Sequence, residues 1–161
     1  MVRWPRVIDA GRHADFVDGW LARAAKEPSP DVLLALLEAA LGALRARTVT
    51  TLGEVTLTAI AERVLYVAAE RFPVFSALVV DPAGGISFRE LRKRTSSMRD
   101  ARLMEGIRFM LVELLTVLGN LTAEILTPEL HAELGSLALP QPVGIEKVAR
   151  RNVTGGKGKK S

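Results

Sequence analysis

The sequence contains no cysteine, so neither a disulfide framework nor thiolate chemistry is open to it. Histidine occurs only twice, as His13 and His131. Neither has a second histidine three or four residues away, the spacing of a helical metal pair, and His131 has no acid there either. Both read as surface residues. There is no Glu-x-x-His pair of the kind that builds a di-metal bundle, and no serine in a nucleophile-elbow pattern. The most apolar stretch is interrupted by Arg108, Glu113, Asn120 and Glu124, which speaks against a transmembrane span. The N-terminal run Met1-Val2-Arg3-Trp4-Pro5-Arg6 lacks the apolar centre of a secretory signal, and the expected location is cytoplasmic.

Acidic residues are missing from one place in particular. Lys147, Arg150, Arg151, Lys157, Lys159 and Lys160 have no acid among them, although the chain carries 18 acids in all. Removing these six from the 22 basic residues leaves sixteen against 18 in residues 1–146, a net of −2. The basicity of the chain, with a pI of about 9.8, therefore belongs to the tail.

What is present is helical periodicity. Met104, Ile107, Leu111, Leu114, Leu118, Leu121 and Ile125 alternate by three and four residues, so one stripe of a helix would carry all seven. Leu103, Met110 and Val117 widen the stripe, and a helix this apolar is normally buried. The spacing predicts a central helix over 104–126, with Glu113 on its outer side. Before it, Ala14, Phe16, Val17, Trp20, Leu21 and Ala24 mark a first helix that Pro28 ends. Ser29-Pro30-Asp31 supplies a cap, a first-position proline and a first-turn acid for a second. Its leucine pattern breaks at Thr48–Thr51. Thr51 and Glu54 fit a capping box for a third helix, which Pro73 stops near Phe72.

Residues 75–88 change character. Ala77-Leu78-Val79-Val80 is a strand-like run, Asp81-Pro82-Ala83-Gly84-Gly85 a turn, and Ile86-Ser87-Phe88 a return. A small hairpin is predicted, followed at once by a helix from the second capping box, Ser87–Glu90. Thr95-Ser96-Ser97 interrupts that helix. Pro128 to Leu134 reads as a short last helix with Gly135 as a left-handed cap.

The reading is a mainly α single domain. Five to six helices surround residues 104–126, with one hairpin at about 75–88. Residues 1–11 are expected to be irregular, 12–139 to form the domain, and 140–161 to be a disordered basic tail. No motif names a reaction, so neither a catalytic residue nor a cofactor or metal ligand is assigned. The expected role is a non-enzymatic interaction or regulatory module. A homodimer is expected to pair hairpins through Leu78, Val79, Val80 and Ile86, since a lone two-stranded hairpin leaves its edges unpaired. The alternative partner is nucleic acid or an acidic protein, met by Arg89, Arg92, Lys93, Arg94, Arg99 and Arg102 with Lys157, Lys159 and Lys160. Residues 89–102 contain no aromatic for stacking on single strands. A third alternative is a helical sensor with an apolar small molecule in its core.

Overall fold

The computed structural model describes residues 6–81, 85–95 and 98–137, with side chains from residue 11 onward. Among these it is mainly helical: α1 (Arg6–Ala24), α2 (Pro30–Leu52), α3 (Glu54–Arg71), α4 (Arg89–Thr95), α5 (Asp100–Leu121) and α6 (Thr127–Gly135). A 3₁₀ turn (Pro73–Ala77) leads from α3 into strands β1 (Val79–Val80) and β2 (Ile86–Ser87). The strands pair antiparallel, Val79 with Ser87 and Val80 with Ile86. The predicted basic tail from Pro140 lies outside the described residues.

The central helix is α5. It packs on α1, α2, α3 and α6. Leu103, Ile107, Met110, Leu111 and Leu115 on it are fully buried, and burying a side chain of this size contributes roughly 1.5–3 kcal/mol. Gly106 lets the buried Phe75 ring lie on the α5 backbone, since a Cβ there would stand 2.5 Å from the ring. Glu113 is half-buried.

Local signals place several boundaries. Ser29 accepts the Val32 amide and caps α2, with Pro30 in its first position. Phe72, before Pro73, closes α3. The break after Thr95 separates α4 from α5.

Other boundaries differ from expectation. The first helix starts at Arg6 and takes in Gly11, which was expected in an irregular lead-in. The second runs through Thr48–Thr51 to Leu52, with the Thr48 hydroxyl donating back to the Leu44 carbonyl at 2.8 Å. Thr51 is thus inside α2 and not a cap. The joint with α3 is Gly53, whose φ of +86° only glycine adopts readily. The α5 helix stops at Leu121, not at 126. The Thr122 hydroxyl donates to Leu118 O at 2.9 Å, and Ala123 and Glu124 turn left-handed, with φ of 52° and 64°. Past that turn the helical period no longer applies and Ile125 is exposed, while Leu121, the last residue of α5, is exposed as well. Gly135 stays within α6, with Ser136 after it.

Candidate functional site

Two features stand out, an apolar cavity and a buried polar cluster. The cavity, of about 200 Å³, is partly open to solvent and lies between α2, α3, α5 and the hairpin. Strand alternation turns one cross-strand pair, Val80 and Ile86, into its wall, while Val79 is exposed. From α5 come Met110, Leu114 and Leu118, and from α3 chiefly Leu57, Ile60 and Val64. On α2 the wall includes Gly42, where a Cβ would meet nothing within 4 Å. The missing side chain leaves room at the opening.

Among the described residues, four polar side chains join this wall: Glu38, Arg45, Thr48 and Thr58. Both charges are paired. Arg92 donates to Glu38 at 2.7 Å and lies over the Phe88 ring, 5.9 Å from its centre. Arg45 donates to the Glu54 carboxylate, at the first position of α3. The Thr48 proton is committed to the α2 backbone. Such a wall can hold an apolar body and orient a charged end at the rim.

The second feature joins residues far apart in sequence. His13 on α1 is fully buried, and its Nδ1 lies 2.9 Å from His131 Nε2 on α6. Its Nε2 lies 3.5 Å from the Glu124 carboxylate. That carboxylate also accepts the hydroxyl proton of buried Thr127. It rests on Gly119, where a Cβ would come within 2.6 Å of it. The His131 ring stacks on Phe16, centroids 4.1 Å apart. Burial lowers the His131 pKa from its ordinary value, His13 and Arg12 lower it further, and Glu124 opposes them. Close by, Trp20 donates its indole proton to Leu134 O at 2.9 Å, tying α1 to the last turn of α6. The histidines are therefore not surface residues as expected. A signal for His13 does exist: it precedes Val17 by four residues and Trp20 by seven, on the buried stripe of α1.

The residues singled out for partners either make local contacts or face solvent. Arg92 turns to Glu38, and Lys93 is 3.9 Å from Glu90. Arg102 lies over the Phe72 ring at 4.3 Å and donates to Arg71 O. Arg89, Arg94 and Arg99 are exposed. Lys157, Lys159 and Lys160 lie outside the described residues. Of the expected interface residues, Leu78 is buried in its own chain, Val80 and Ile86 face the cavity, and Val79 is exposed. Among the described residues, no three His, Asp or Glu side chains form a group that could hold a metal ion, and no helix is long and apolar enough to cross a membrane.

No protein-family model, no curated protein and no solved structure matches this chain.

Proposed function

We propose that this domain is a binding module that holds a small apolar molecule in the cavity between α2, α3, α5 and the hairpin. The observation that carries this is a cavity of about 200 Å³, partly open to solvent and lined mainly by apolar side chains of α2, α3, α5 and the hairpin. Natural interiors are close-packed, and an apolar void larger than about 150 Å³ is enough to admit a ligand the size of benzene. It is smaller than the roughly 300 Å³ and upward of drug-sized sites, so the ligand is small. A binding rather than a catalytic role is supported by the wall, whose two charged groups are already paired.

The test is displacement of a neutral apolar dye, N-phenyl-1-naphthylamine, followed by fluorescence. Gly42→Leu places a side chain into the open space on α2 and removes a helix-interior glycine, so it is expected to fold well and to abolish dye binding. Equal dye binding by wild type and Gly42→Leu would exclude the cavity as the site.

Self-association is a second reading, favoured by Val79, which is 57% exposed on a two-residue strand of a two-stranded sheet. Light scattering tests it. A dimer that Val79→Lys dissociates supports it, and a monomeric wild type at tens of micromolar, on the order of usual assay concentrations, removes it.

A further inference from the structure

The two charges on the cavity rim differ in how firmly they are held, and this difference selects a ligand class. Glu38 and Arg45 both lie on α2, seven residues apart, so they bracket the opening at a separation of roughly 10 Å along the helix. Leu41 and Gly42 lie between them. At the Glu38 end the compensating cation, Arg92, has a second hold on the Phe88 ring, and Phe88 is itself buried. A cationic ligand would have to displace an arginine anchored twice. Both pairs are open to solvent, with Arg92 and Glu38 43% and 50% exposed and Arg45 and Glu54 33% and 62%, so what sets the Glu38 end apart is the ring that also holds Arg92. Glu54 makes no other polar side-chain contact among the described residues. An exposed pair of this kind is worth little, and its carboxylate can return to water at small cost. The guanidinium nitrogen that now donates to Glu54 would then be open to an incoming carboxylate.

We propose that the ligand of this cavity is a small anionic amphiphile, a medium-chain carboxylate, with its chain among Leu57, Val64, Leu114 and Ile86 and its carboxylate on Arg45 in place of Glu54. This rests on the reading of the cavity as a binding site. No bond is made or broken. The chain leaves water for the apolar wall, and one carboxylate replaces another on the arginine. The cavity volume limits the apolar part to a short or medium chain, and a longer one would have to leave its end in solvent.

The experiment is calorimetric titration of the full chain with decanoate, decanol and decylammonium, each below its micelle concentration, at pH 7.5. Wild type is expected to bind decanoate most tightly. Arg45→Met is expected to weaken decanoate by roughly ten- to a hundredfold, the worth of a charge-assisted hydrogen bond, and to leave decanol unchanged. Glu54→Gln removes the competing carboxylate and is expected to tighten decanoate, an effect that a purely structural role for the pair does not produce. It also keeps the proposal testable should Arg45→Met fail to fold. Decanol or decylammonium bound as tightly as decanoate, or Arg45→Met weakening decanoate and decanol alike, would overturn the carboxylate assignment and leave the cavity reading standing. Absence of binding by all three would overturn both.

Discussion

His13 and His131, 118 residues apart in sequence, face each other nitrogen to nitrogen at 2.9 Å. One ring must donate and the other accept, so only one of the two facing nitrogens carries a proton. Burial of the His131 ring, with His13 and Arg12 beside it, favours its neutral form.

A pH dependence follows. The His131 pKa is lowered in the fold from the ordinary 6.5, so as pH falls the unfolded chain takes up its proton first. The stabilising contribution is complete above 6.5 and is lost as pH falls through the lowered folded value. Thermal melts between pH 7.5 and 5 should show a Tm that falls as the pH falls. Ordinary carboxylates titrate below this window. His131→Phe preserves a ring against Phe16 and should flatten the slope. A wild-type Tm that is level across the range would refute the account.

Glycines on the helices should divide sharply. Gly106→Ala forces a methyl against the Phe75 ring in a filled core and should destabilise by about 1–3 kcal/mol. Gly42→Ala meets nothing and should stabilise by about 0.5–1 kcal/mol. Urea titration of both variants checks the sign as well as the size. A Gly106→Ala variant as stable as wild type would mean that Phe75 moves aside freely.

The turn after α5 gives a third test. Ala123 has a φ of 52°, a conformation that disfavours residues with a Cβ by roughly 1–2 kcal/mol. Ala123 is exposed, so substitution there reports the backbone alone. Ala123→Gly is expected to be neutral to stabilising in chemical denaturation, and Ala123→Val to be clearly destabilising. The reverse order would show that the chain leaves α5 by another path.

Trp20→Phe removes the indole proton from Leu134 O while keeping an aromatic ring in the core. The lost bond and the carbonyl left behind should lower stability by about 1–3 kcal/mol. Amide exchange should rise most in α6, the helix whose last turn the indole holds. Faster exchange confined to α2 or α3 would contradict this.

How much of this was legible in the sequence depended on range. Ser29-Pro30 and Pro73 act on their own neighbours, and each placed its boundary. The Thr51–Glu54 box is equally local but misled, because Gly53 can take the left-handed joint itself and lets α2 run on to Leu52. The end of α5 was hidden because Ile125 continues the apolar spacing although the backbone has already turned at Ala123. The histidine pair could not be read at all as a pair. Periodicity puts His13 on a buried face but does not say what that face meets. The cavity was invisible for a different reason: Leu57, Leu114 and Leu118 would line a hole or fill one with the same letters.

The bond from Trp20 to Leu134 also bears on synthesis. The apolar face of α1 packs chiefly on α5 and also on α6, helices far along the chain. Translation at about 5–20 residues per second separates Trp20 from Leu134, 114 positions later, by roughly 6 to 23 s. For that interval Val17, Trp20 and Leu21 have emerged without their partners, long enough for a chaperone to capture them. Helix α1 thus leaves the ribosome well before α5 and α6, and a ribosome stalled before α5 would display its apolar face.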